Sequence, residues 1–118
     1  MGKMQRDKGM RHERAIVRKC MAEDIYAERV PLSGAANFRN TRSTDVDVYA
    51  FGRHEPPLVT EVKARGNGSG FKTIGRWLGD ADALFLSEDR KEPLVVLPFN
   101  IFTKLCNAVQ KPGKKIAL

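Results

Sequence analysis

The sequence predicts an α/β protein, a single domain in which a mixed β-sheet is flanked by helices. Three observations predict it. Met10, Ile16, Val17 and Cys20 near one end, and Phe99, Phe102, Leu105, Cys106 and Val109 near the other, recur at the three- and four-residue steps of an amphipathic helix. Between them Asp45-Val-Asp-Val-Tyr-Ala-Phe51 alternates with the period of two of a strand. Ala83-Leu-Phe-Leu86 and Leu94-Val-Val-Leu97 are continuous apolar runs, as central strands covered on both faces would be. At 118 residues the chain has room for one core but not two, so 1–118 reads as one domain with basic tails over about 1–7 and 111–118.

The first helix is expected from about Lys8 to Ala22, with Glu13 inside its apolar stripe and Arg11, Arg14 and Arg18 on a second, basic stripe. Tyr26 to Leu32 reads as a short edge strand ended by Pro31, which has no N–H for a ladder. A polar loop with Arg39 and Arg42 runs from there to Thr44, and loops of that length are usually functional or mobile. The alternating strand follows, placing Asp45, Asp47, Tyr49 and Phe51 on one face. Gly52 to Pro57 is too short for a crossover, so the next strand, Leu58 to Arg65, is expected beside it and antiparallel. Gly66-Asn-Gly-Ser-Gly70 is a flexible loop lacking the terminal Gly-Lys-Ser/Thr of a phosphate-binding loop. Phe71, Ile74, Trp77 and Leu78 then repeat at helical spacing, with Phe71 and Trp77 expected in the core. The two apolar strands and the last helix complete the order, and Lys-Pro-Gly-Lys-Lys stops that helix.

Lys and Arg total 21 against 14 Asp and Glu, a formal charge of +7 that favours polyanionic partners. No apolar run reaches the ~20 residues of a membrane span, and no hydrophobic stretch follows the basic N-terminus as a secretory signal would require. Cys20 and Cys106 lie in apolar helical patterns and read as buried free thiols in a reducing cytoplasm. His12 and His54 have no partner at zinc-ligand spacing.

Chemistry concentrates in Leu58-Val-Thr-Glu-Val-Lys63. Glu61 and Lys63, two apart, share a face of what reads as a buried strand, where charged residues are rare unless paired or bound to a metal. Folding the hairpin brings Asp45 or Asp47 across from Glu61, within the ~5 Å of directly opposed positions. Two carboxylates that close repel unless a cation lies between them, and hard oxygen donors suit Mg²⁺ or Mn²⁺. Glu13 would add a third oxygen. Lys63 would orient or help deprotonate an attacking water, or offset the charge on a pentavalent phosphorane. Together these parts describe phosphodiester hydrolysis.

The pattern Asp…Glu-x-Lys resembles the PD-(D/E)xK nuclease superfamily. The order Gly9, Glu13-Arg14-Ala15-Ile16-Val17, Arg29-Val-Pro-Leu-Ser33-Gly34, Asp45-Val46 and Glu61-Val-Lys63 resembles more closely its Holliday-junction-resolvase branch. The resemblance covers roughly residues 8 to 100. It implies a restriction-endonuclease-like core and a Mg²⁺- or Mn²⁺-dependent endonuclease acting on branched DNA such as a four-way junction. Glu13 would be the helix acid, Ser33 a polar residue near the metal or the scissile phosphate, Asp45 and Glu61 the principal ligands, and Lys63 the catalytic lysine. Thr44 stands where the family pattern has Pro, and Asp47 is the alternative ligand to Asp45. Arg11, Arg14, Arg39, Arg42, Arg65, Lys72 and Arg76 are the candidate DNA-binding residues. The resemblance also implies a homodimer, with the C-terminal helix as a candidate interface, and the small size fits a phage or mobile-element nuclease. The rival functions are a non-cleaving nucleic-acid-binding module on the same fold and a restriction- or repair-type nuclease of the same superfamily.

Overall fold

In the computed structural model α1 spans Gly2–Ala22, β1 Ala27–Arg29, β2 Val46–Val48, β3 Leu58–Thr60, α2 Ser69–Leu78, β4 Leu84–Leu86, β5 Leu94–Val96 and α3 Phe99–Gln110. The structure describes residues 2–30, 45–66 and 68–117, with side chains from Gly9 onward. Ser33, Arg39 and Arg42 lie outside the described residues.

The chain leaves α1 through a tight turn. Asp24 takes the left-handed conformation (φ 65°), and the Ile25 N–H donates to the Cys20 carbonyl at 2.9 Å. A residue with a short polar side chain tolerates that conformation and ends the helix there. β1, β2 and β3 then form an antiparallel meander in that order, with Glu28 opposite Asp47 and Asp47 opposite Val59. Alternation splits this sheet into two faces. Ala27, Val46 and Val48 are buried with Ile25 and Cys20, and Ile16, Val17, Leu58 and Val62 pack partly against them. Glu28, Asp47 and Val59 occupy the outer face by the same register.

α3 closes the cluster through Cys106, with Phe102 packed beside it. Its polar residues tie it to earlier turns. The Gln110 amide donates to the carbonyls of Tyr49 (3.1 Å) and Ala50 (3.0 Å), and the Asn107 amide donates to that of Glu23 (3.2 Å). Both cysteines are buried and free, as expected. No helix among the described residues is long and apolar enough to cross a membrane.

The architecture is thus mixed α/β, with three helices and two small antiparallel sheets among the described residues. It corrects the expected single mixed sheet. Among the described residues β4 and β5 pair only with each other, antiparallel, with Phe85 opposite Val95. Seven residues, 87–93, connect them, and a connection that short cannot carry a parallel crossover. They are not central strands covered on both faces, since Phe85, Leu94 and Val95 are exposed. Nor are Phe71 and Trp77 in the core. No residue of α2 is buried, because none of the core cluster packs beneath it.

Candidate functional site

Asp45 sits immediately ahead of β2, and both neighbouring strands grip it. Its N–H donates to the Thr60 carbonyl (2.9 Å), and its own carbonyl accepts from the Val30 N–H (3.0 Å). Its carboxylate Oδ2 accepts the Val62 N–H at 2.7 Å. Thr60 adds a bond from its hydroxyl to the Val46 carbonyl at 2.7 Å. The β2–β3 ladder stops at the pair Val46–Thr60, and Asp45, just beyond it, bonds Thr60 and Val62 on either side of Glu61.

The expected long strand through Glu61 and Lys63 ends earlier, at Thr60. Thr60 already pairs with Val46, the first residue of β2, and among the described residues no other strand pairs with β3. The alternation persists without the ladder. Val62 turns toward the core, while Glu61 and Lys63 are exposed rather than buried. Their charged ends form an ion pair at 3.5 Å.

Glu13 approaches the same end of the sheet from the helix side. Its carboxylate accepts the Arg29 Nε–H at 3.1 Å in a part-buried ion pair, and Arg29 lies opposite Val46, one register step from Asp45. Asp47 stands two residues further along β2, 1% exposed, facing Glu28 and Val59 rather than Glu61. Of the basic candidates, Arg11 and Arg14 are exposed on α1, and Lys72 and Arg76 on α2. The exposed Arg65 guanidinium donates to the Ala64 carbonyl at 2.9 Å.

Two clusters escaped the sequence. At the other end of the outer face the Tyr26 and Tyr49 rings lie 5.2 Å apart, and both hydroxyls donate to Glu28, at 3.1 and 3.4 Å. The Arg53 guanidinium stacks 4.1 Å above the Tyr26 ring. Desolvation, with the carboxylates of Glu28 and Asp47 behind it, raises the Tyr49 phenol above its ordinary value. Only the three-dimensional pairing of residues 26 and 49 shows this group. The second cluster is a 220 Å³ groove at the end of α3 lined by Lys104, Lys111, Lys114 and Lys115. Its signal was present in the basic tail, but Lys104 joins it only because about two helical turns separate it from the tail's start, which returns it to the same side.

Chemically, this end of the sheet offers the Asp45 carboxylate, oriented by the Val62 N–H, and beside it in the chain the exposed Glu61–Lys63 ion pair. No three His, Cys, Asp or Glu side chains converge to hold a metal among the described residues. Mg²⁺ does not require such a cage, because it keeps several waters and takes one or two carboxylates together with substrate phosphates. The half-buried Asp45 and the exposed Glu61 are carboxylates that would suit that mode of binding. No protein-family model, curated protein or solved structure matches this chain.

Proposed function

We propose that the chain is a metal-dependent nuclease that hydrolyses phosphodiesters in DNA. The observation that carries this reading is the bond from the Val62 N–H, between Glu61 and Lys63, to the Asp45 carboxylate, with the Lys63 ammonium 3.5 Å from the Glu61 carboxylate. Asp45 and Glu61 would hold a Mg²⁺ or Mn²⁺ ion, which when bound supplies a water acidified for attack and a polarised phosphate. The Val62 N–H holds the Asp45 carboxylate in one orientation, so that donor is positioned before any ligand arrives. Lys63 would orient the attacking water and offset the charge that grows on phosphorus. The excess of seven positive charges and the four-lysine groove supply sequence-independent attraction for a phosphate backbone.

Within that class the closest fit is the Holliday-junction-resolvase type, with a restriction-endonuclease-like core and a cytoplasmic setting. Its support is the order of parts: a helix acid, an antiparallel meander, Asp at the head of the second strand, and Glu-x-Lys leaving the third. One observation favours a non-cleaving DNA-binding module instead. Glu13, the helix acid, is already committed to Arg29.

The test is cleavage of a labelled four-way junction beside a linear duplex of equal length, in Mg²⁺, Mn²⁺ and EDTA. Symmetric nicks on the junction that vanish with EDTA and with Lys63→Ala, while Lys63→Ala still binds DNA, are expected. Cutting of duplex alone moves the enzyme to the restriction or repair type. Binding without cutting in either metal removes the catalytic roles of Asp45, Glu61 and Lys63.

A further inference from the structure

β5 pairs along one edge of β4, and among the described residues no strand pairs along the other. All three residues of β4, Leu84, Phe85 and Leu86, border one open groove of 860 Å³ together with Trp77 of α2, whereas β5 contributes Leu94 alone. Successive side chains of a strand point to opposite faces, so three in a row border one groove only where it runs along the strand's edge. The register keeps those faces apart, with Leu86 opposite Leu94 on one and Phe85 on the other. Phe85 and Trp77 are 69% and 59% exposed, while Leu84 and Leu86 are half-buried. A strand edge presents unpaired N–H and C=O groups, and proteins usually blunt it with charges or proline, neither of which β4 carries. A two-stranded hairpin is also marginal by itself in water, so a third strand would complete it.

We infer that the free edge of β4 receives an extended segment of a partner protein, apolar at its centre and flanked by lysine or arginine, which adds as a third strand. The inference does not depend on the nuclease reading. Main-chain pairing supplies the attachment in such an addition, and alternate side chains supply the selectivity. Those of the added strand would lie beside Leu84 and Leu86 on one face and beside Phe85 on the other. An exposed tryptophan bordering the groove is the kind of residue that anchors such a contact. Charge identifies the flanks. The whole chain carries +7, but residues 80–92, which hold β4 and the turn after it, carry five acids and two bases, a net charge of −3. Glu88 and Glu92 border the groove, and the Lys91 ammonium between them is already paired to Glu88 at 3.5 Å. An acidic region on a basic protein attracts a cationic segment and repels phosphate, which disfavours nucleic acid and anionic lipid as the occupant.

Titration of the full-length chain with a capped peptide, four apolar residues between two pairs of lysines, tests this. Trp77 is the single tryptophan, so its emission reports on the groove, and the amide resonances of Leu84 to Leu86 report on the edge. A saturable blue shift of the emission, with shifts of those amides, is expected. Replacing the lysines by glutamates should weaken binding about tenfold or more. Methylating the four central amide nitrogens keeps side chains and charge but removes the ladder donors, and should weaken it about as much. The same loss is expected for the lysine peptide with Glu88→Lys and Glu92→Lys combined, at exposed positions and with unchanged far-UV circular dichroism. Constant Trp77 emission with the lysine peptide at millimolar concentration would overturn the inference. So would equal binding of the glutamate peptide or of the methylated one, or unchanged affinity in the double variant. Emission that shifts with protein concentration alone would give the edge to a second copy and overturn it too.

Discussion

Removing the Asp45 carboxylate should loosen the segment that carries Glu61 and Lys63, and the size of the effect follows from one bond. Asp45 Oδ2 accepts the Val62 N–H at 2.7 Å in a part-buried setting. Hydrogen bonds to a charged group contribute roughly 1.5–3 kcal/mol, and partial exposure puts this one near the lower end. Asp45→Ala deletes the acceptor and should cost about 1.5 kcal/mol, which for a chain of this length lowers Tm by roughly 5–8 °C. Asp45→Asn keeps a carbonyl oxygen at the same place and should cost less than about 1 kcal/mol. Thermal denaturation of the two variants, with amide exchange at Val62, reads both effects. Exchange at Val62 should accelerate in Asp45→Ala and stay nearly unchanged in Asp45→Asn. If Asp45→Ala melts like the wild type with Val62 equally protected, the bond does not hold this segment. The proposed metal role predicts a different split, in which Asp45→Asn loses cleavage as fully as Asp45→Ala.

Burial sets the next contrast. Val46 is fully buried and Val59 is exposed, so Val46→Ala should cost about 2 kcal/mol and Val59→Ala under about 0.5 kcal/mol, and equal losses in a urea titration would contradict the assigned faces. The part-buried Glu13–Arg29 pair should show a coupling of about 1 kcal/mol in a double-mutant cycle with Glu13→Gln and Arg29→Met. A coupling near zero would mean that the pair does not fasten α1 to β1. Desolvation, with Cys106 adding to it, raises the Cys20 thiol, and desolvation also raises Cys106. A raised folded value favours the protonated native state. Its contribution is therefore complete below the unfolded thiol range, near about pH 8.5, and is lost as pH rises through the folded value. Stability should fall on the alkaline side in the wild type and fall less in Cys20→Ala. A thiol reagent should label native Cys20 only as fast as the chain opens, so prompt labelling would refute the burial.

The sequence by itself determined what local periodicity and chain connectivity can express. Helical stripes placed α1 and α3, and the short run from Gly52 to Pro57 forced β2 and β3 to pair antiparallel. That pairing brings the start of β2 beside the end of β3, which is why the approach of Asp45 to the segment after Thr60, seen in its bond to the Val62 N–H, was legible in the sequence. The buried cysteines were legible too, since small apolar residues at stripe positions have few other places to go. Periodicity reports which faces are apolar, but not what covers them. Trp77 and Phe71 look like core residues in sequence, yet α2 finds no core to bury them in. The apolar runs of β4 and β5 look like central strands, yet their only described strand partner is each other. Strand length was decided in the same way, because a ladder lasts only as long as both strands supply residues, and β3 stops at Thr60, opposite the first residue of β2. Only the tertiary structure joined Glu13 to Arg29, sixteen residues away, and Tyr26 to Tyr49. Contacts between distant residues depend on how the layers settle, and no local pattern encodes that.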